Sequence, residues 1–168
     1  PDQYGRFICE IFDEWKKEFR DGRPVVSIRL FDSILSMMLN LSPPSCTFRQ
    51  SCGIYVVIEH NGDVYSCDFF VEPRWKLGNL MSQSLRSMLE GPTQREFANL
   101  KRRVPPTCKE CKWFHLCAGG CTKDRMRSAG VGELGLDYFC EATKMIYEHV
   151  YPTFLQLRKD YESGKFRQ

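Results

Sequence analysis

Several things are scarce in this sequence. No apolar run is long enough to span a bilayer, which excludes a membrane helix. No excess of one charge exists either: the formal net charge is +3 across 168 residues, and basic residues alternate with acidic ones. A continuous cationic stripe that would track a phosphate backbone is therefore missing, and nucleic acid is not an expected partner. Histidine is limited to His60, His115 and His149, which are read as turn, surface and packing residues rather than ligands. Internal repeats and low-complexity tracts are absent too. The 42% hydrophobic and 27% charged shares are those of a globular domain with a core of its own. The first residue is Pro1, so the chain is expected to be a piece of a longer protein.

What the sequence has in excess is cysteine, nine residues in all: Cys9, Cys46, Cys52, Cys67, Cys108, Cys111, Cys117, Cys121 and Cys140. Eight lie between positions 46 and 140, spaced C-x5-C-x14-C, then a gap of 40, then C-x2-C-x5-C-x3-C, and Cys140 after 18 more. A disulfide framework fits poorly, because the chain has ample apolar residues and a C-x2-C pair chelates more readily than it cross-links. Structural zinc remains an alternative, with a knuckle at Cys108 and Cys111, but a ribbon needs a second close pair. Wide, uneven spacings suit iron-sulfur clusters, whose iron corners take thiolates from distant segments. Gly119 and Gly120, just before Cys121, let the backbone turn tightly against an anionic group. Cys9 stands apart as a packing residue.

The remaining pattern is mixed α+β. Ile8, Ile11, Phe12, Trp15 and Phe19 recur at helical spacing. The run PVVSIRLF is a candidate buried strand, followed by a helix capped at Asp32 or Ser33 that turns Ile34, Leu35, Met38 and Leu39 inward and stops at Pro43-Pro44. Residues 54–71 predict a hairpin with Asn61-Gly62 as a two-residue turn, opposing Ile58 to Tyr65, Val56 to Cys67 and Tyr55 to Asp68. Strand alternation then sends Cys67 and Asp68 to opposite faces. SQSLRSMLEG and PTQREFANLKRR predict two short helices divided at Gly91-Pro92. A longer helix from Glu141 carries Met145, Ile146, His149 and Val150 and breaks at Pro152. Lys123 and Arg125 read as solvent-facing charges after a cluster loop.

The hairpin ending NGDVYSCDFFVEP, the LGNL that follows, the C-x2-C-x5-C-x-GG-C-x-KDR run and the late cysteine resemble the SPASM domain of radical S-adenosylmethionine enzymes. The GDxYxCDxF of the hairpin and the IFDEW segment are similar to those of anaerobic sulfatase-maturating enzymes. That resemblance implies a small hairpin and short helices organised around two [4Fe-4S] clusters, with a C-terminal helix. It implies ligation of one cluster by Cys46, Cys52, Cys67 and Cys121, and of the other by Cys108, Cys111, Cys117 and Cys140; a crossing fourth cysteine has a precedent in two-cluster ferredoxins. It implies an enzyme that oxidises a cysteine or serine of a nascent sulfatase to formylglycine, in the cytoplasm, with Asp68 at the position of the family's proposed catalytic base. No C-x3-C-x2-C motif occurs, so S-adenosylmethionine, a third cluster and most of the radical barrel are expected in a missing N-terminal domain, and the fragment alone is not expected to be catalytically competent. Residues 1–41 are then the end of that barrel and residues 42–168 the auxiliary-cluster domain. The alternatives are the equivalent domain of another peptide-modifying radical enzyme, in which Asp68 is no base, and a zinc-stabilised binding module without redox function.

Overall fold

Phe12 and Trp15, one helical turn apart, set the main core. The computed structural model describes residues 1–129 and 135–166. Helix α1 (Asp2–Lys17) has Asp2 in its first turn and Lys16 and Lys17 in its last, matching the helix dipole at both ends. Its apolar side packs on the long helix α8 (Cys140–Glu162), with Phe12 edge-on to Phe154 at 5.3 Å and to Phe31 at 5.1 Å. Phe31, Ile34 and Met38 come from α2 (Arg29–Met38), and Ile146, Tyr147, Val150 and Leu157 from α8. Fully burying each such side chain contributes roughly 1.5–3 kcal/mol.

Helix α8 runs unbroken through Pro152, contrary to the sequence expectation. A proline inside a helix costs about 3 kcal/mol. Here its ring is exposed, while Tyr147 and Val150 before it and Phe154 and Leu157 after it are buried, and that burial holds the axis together. The PVVSIRLF strand is also absent. Val25 and Val26 are about half exposed, and the segment is an extended lead into α2, fixed where Trp15 Nε1 donates to the Val26 carbonyl at 2.7 Å. With no neighbouring strand to pair with, β-branched residues alone do not make a sheet. Helix α2 starts at Arg29 with an extended Ile28 as its cap, four residues ahead of Asp32, the nearer of the two expected caps; Asp32 sits in its first turn and accepts from Ser27. It ends before the prolines, at a left-handed Asn40 (φ 58°), with Leu41 N–H donating to Ser36 O and Asn40 N–H to Met37 O.

A three-stranded antiparallel sheet, ordered β1-β2-β3, is formed by β1 (Val57–Ile58), β2 (Asp63–Tyr65) and β3 (Lys76–Asn79). The hairpin exists, but its register differs by one residue from the expected one: Ile58 opposes Val64 and Val57 opposes Tyr65. Glu59 N–H donates to Asp63 O, so the loop has three residues, with Gly62 at φ 84° in the left-handed position that such loops reserve for glycine. Asn61 Oδ1 accepts from Asp63 N–H, and Asn79 Nδ2 donates to the Asp63 carboxylate, pinning the turn to β3.

Helices α3 (Leu85–Leu89) and α4 (Pro92–Leu100) divide at Gly91 and Pro92 as expected. Trp75 and Phe70 meet Phe97 of α4 edge-on at 5.1 and 5.2 Å, building a second, smaller apolar cluster that Cys52 and Cys67 adjoin. The short helices α5 (Pro106–Lys109), α6 (Phe114–Cys117) and α7 (Thr122–Ala129) carry the chain from there to α8. No helix among the described residues is long and apolar enough to cross a membrane.

Candidate iron-sulfur sites

The eight cysteines beyond Pro44 line two cavities, four in each. Cys46, Cys52, Cys67 and Cys121 surround the first, together with Tyr55, Ser66, Phe69, Phe97 and Lys101. Cys108, Cys111, Cys117 and Cys140 surround the second, with Trp113, Thr143 and Tyr147. Each cavity leans on its own apolar cluster: Cys52 and Cys67 adjoin the smaller one, and Cys111 and Cys117 the main core. All eight thiols are free, as is Cys9, and among the described residues no three Cys, His, Asp or Glu side chains converge closely enough to hold a single ion. Each set of four cysteines lines a cavity rather than converging on a point. Eight thiols in two rings of four form a donor set that fits two cubane clusters, one thiolate per iron.

At the first cavity, Cys46 opens a 3-10 turn (Cys46–Phe48) whose Thr47 N–H is capped by Ser45 Oγ. Ser45 N–H in turn donates to the fully buried Ser33 Oγ, which ties this turn to α2. Cys67 lies in a turn closed by Phe70 N–H to Cys67 O, because β2 stops at Tyr65. That turn overrides strand alternation, and Cys67 and Asp68 converge: Cys67 Sγ donates to Asp68 Oδ1 at 3.2 Å. Tyr55 OH lies 3.5 Å from Cys46 Sγ and donates to Asp68 Oδ1 at 3.4 Å. Its hydroxyl is held well above the usual tyrosine range by its bond to Cys46 and then by burial. Asp68 itself is exposed, bonded to Tyr55 and Cys67 of the cavity lining and next to an exposed Phe69.

Two cations that sequence reading misplaced or passed over hold the cysteine loops. Lys101, 2% exposed, donates from Nζ to the carbonyls of Cys46 and Thr47. Arg125 is fully buried, not solvent-facing, and its guanidinium donates to the carbonyls of Lys101, Arg103, Ala118, Gly119 and Gly120. Burial lowers the proton affinity of both. Lys123 is half-buried, paired with Asp124 and set over the Phe69 ring. The loop that Arg125 grips has three consecutive left-handed residues, Ala118, Gly119 and Gly120. A Cβ on Gly119 would lie 2.8 Å from Val104 Cγ1, and one on Gly120 2.1 Å from Asp137 Oδ2. The Gly-Gly pair thus admits Arg125 on one side and Asp137 on the other.

Asp137 was not singled out from the sequence. Its carboxylate accepts from Cys121 N–H at 2.9 Å and Phe139 N–H at 2.7 Å, so one side chain joins a cysteine of the first cavity to the entry of α8, which carries Cys140 of the second. Burial raises its pKa. Burial also raises the thiols, Cys67 to about 12 and Cys117 to about 11, with Cys108, Cys121 and Cys140 shifted the same way. In such surroundings a thiol gives up its proton only when a metal takes its place. Cys9 lies partly buried against the main core and adjoins neither cavity; His60 and His115 are exposed, and His149 pairs with Asp13 at 3.0 Å. Replacing Arg125 by methionine leaves five carbonyls without that donor, and we expect a loss on the order of 3 kcal/mol or more, read as a lower urea midpoint.

Residues 46–112 match SPASM, an iron-sulfur cluster-binding domain. The serine-type anaerobic sulfatase-maturating enzyme of Bacteroides thetaiotaomicron is 42% identical over 161 residues, covering 95% of this chain and 38% of that protein. The cysteine-type enzyme of Clostridium perfringens is 36% identical over 157 residues, covering 94% and 42%. The solved structure of native anSMEcpe with bound AdoMet and Cp18Cys peptide superposes with a TM-score of 0.85 at 35% identity, over 94% of this chain and 43% of that one. The chain therefore spans about two fifths of the length of the curated relatives it matches. Residues 46–112 belong to the SPASM family of iron-sulfur cluster-binding domains, and the chain carrying them is a relative of the anaerobic sulfatase-maturating enzymes.

Proposed function

We propose that residues 42–168 are the auxiliary-cluster domain of an anaerobic sulfatase maturase, which oxidises a cysteine or serine of a sulfatase peptide to formylglycine. The observation that carries this reading is the division of eight cysteines into two four-thiol cavities. Cys46, Cys52, Cys67 and Cys121 hold one [4Fe-4S] cluster; Cys108, Cys111, Cys117 and Cys140 hold the other. Residues 1–41 are the end of the radical barrel, joined to the rest through the core shared by α1, α2 and α8. S-adenosylmethionine and its own cluster belong to the remainder of the barrel, so this chain alone does not start the reaction.

When bound, the clusters supply an acceptor and a path for the electron that the substrate gives up. The chain's own residues do the rest. Asp68, exposed and bonded to Cys67 of the first cavity, takes the proton from the substrate's thiol or hydroxyl as the carbon beside it is oxidised to the aldehyde level. Phe69 and Tyr55, both well exposed there, offer apolar surface to the peptide. Relatives of similar sequence have been solved with AdoMet and peptides bound, which supports a peptide as the partner. Lys101, Arg125 and Asp137 keep the cysteine loops in place.

Anaerobic reconstitution of the chain is expected to load about eight iron and eight sulfide per chain, the content of two cubane clusters. Stoichiometric zinc with negligible sulfide would instead make the domain a metal-stabilised binding module.

A further inference from the structure

Each cysteine cavity contains a buried hydroxyl that the protein leaves unmatched. Ser66 is fully buried and lines the first cavity next to Cys67. Its backbone N–H is used, donating to Trp75 O at 3.1 Å, but its Oγ has no partner among the described residues. Tyr147, on α8, is 1% exposed and lines the second cavity. Its OH likewise finds no partner among the described residues. The ring is packed against Trp113, 5.6 Å between centroids, inside the main core. Burial holds this phenol well above its usual pKa, and it keeps its proton.

An unmatched buried hydroxyl costs roughly 1–3 kcal/mol, and such groups in native proteins almost always have a partner. One such group in a core is a packing defect. Among the buried side-chain atoms without a partner in the described residues, Ser66 Oγ lies on the first four-cysteine cavity and Tyr147 OH, with Trp113 Nε1, on the second, and an acceptor held by the thiols would satisfy them there. Thiolate and sulfide sulfurs of an anionic cluster accept hydrogen bonds, and such bonds are among the factors that set its potential.

We propose that Ser66 and Tyr147 each donate a hydrogen bond to sulfur at their own site, Ser66 to the cluster of the first cavity and Tyr147 to that of the second, and that each raises the reduction potential of its cluster. This rests on the two-cluster reading above. The donor offsets part of the extra negative charge that the reduced cluster carries, so it stabilises the reduced form more than the oxidised one. Because the two hydroxyls come from different elements, the two potentials are set separately along one electron path.

The test uses Ser66→Ala and Tyr147→Phe, each of which removes one oxygen and keeps the rest of the side chain. Both variants, reconstituted anaerobically beside the parent, are expected to hold the parent's iron and sulfide. In redox titrations followed by electron paramagnetic resonance, each should lower the potential of one cluster by about a tenfold change in the reduction equilibrium constant, 59 mV for a one-electron couple. The affected cluster should differ between the two. Resonance Raman Fe–S bands of the parent should shift on transfer to deuterated water, and the variants should each lose part of that shift. Fully loaded variants with unchanged potentials and an unchanged isotope shift overturn the hydroxyl assignment alone. A parent that takes up zinc and no sulfide overturns the cluster reading itself.

Discussion

Cys67→Ala is expected to remove about four of about eight irons, whereas Cys9→Ala should retain them all. The contrast follows from where the two thiols sit. Cys67 is one of four that ring the first cavity, and a cubane with three protein thiolates loses a corner that no other side chain on that ring replaces. Asp68 is adjacent, but as an oxygen donor in a position open to water it is a poor match for a sulfur-ligated iron. The second cavity shares no cysteine with the first, so its four irons should stay. Cys9 packs on the side of α1 against the main core, where alanine removes only a sulfur from a partly buried spot. Iron and sulfide assays on reconstituted protein, with Mössbauer spectra to count clusters, read the outcome. Equal iron loss in the two variants would show that the division of thiols into two rings of four is wrong.

How far the sequence carried this picture depended on the range of the interaction involved. Helix α1 was legible because Phe12 and Trp15 repeat at a local period, and the break between α3 and α4 because Gly91-Pro92 is local chemistry. The hairpin was legible, but its register was not: Asn61-Gly62 suits either a two-residue or a three-residue loop, and the bond from Glu59 N–H to Asp63 O chose the latter. One residue of slip changes which side chains face each other, and the turn at Cys67 then undid the alternation altogether. The candidate cysteines were visible from their spacing, and their pairing into sets only through resemblance to a family.

The side chains that build the site around those cysteines were the least legible. Arg125 follows a cluster loop like any soluble charge, and nothing in the sequence says that five carbonyls from residues 101 to 120 will converge on it. A weak signal existed in Gly119-Gly120, because two glycines in a row often mean that another group must come close. The partners they admit, Arg125 and Asp137, lie 5 and 17 residues beyond Gly120, and nothing local marks either as its contact. The hairpin reading set Tyr55 opposite Asp68, and the two do meet, but the approach of the same hydroxyl to Cys46 had no sequence signal. Buried polar groups are specified by tertiary partners, and a single sequence shows one partner at a time.

In an enzyme that joins this chain to the S-adenosylmethionine-cleaving barrel, Asp68→Asn is expected to lower formylglycine production by on the order of a hundredfold or more, the usual size of a general-base contribution. The substitution keeps the shape of the side chain and one oxygen that still accepts from Tyr55 OH, now 3.4 Å from Asp68 Oδ1. It removes the proton acceptor beside Cys67 and nothing else of comparable size. Iron content should be that of the parent, because the four thiols are untouched, and S-adenosylmethionine cleavage should continue, because it takes place elsewhere. Tyr55→Phe separates the two roles open to Asp68. If the carboxylate served only to hold Tyr55 beside Cys46, losing the hydroxyl would cost as much as Asp68→Asn, and asparagine, which still accepts that bond, would cost little. If Asp68 is the base, the order reverses, with Tyr55→Phe close to the parent and Asp68→Asn nearly inactive. Peptide turnover by Asp68→Asn within a few-fold of the parent, with both clusters loaded, would remove Asp68 from the catalytic residues.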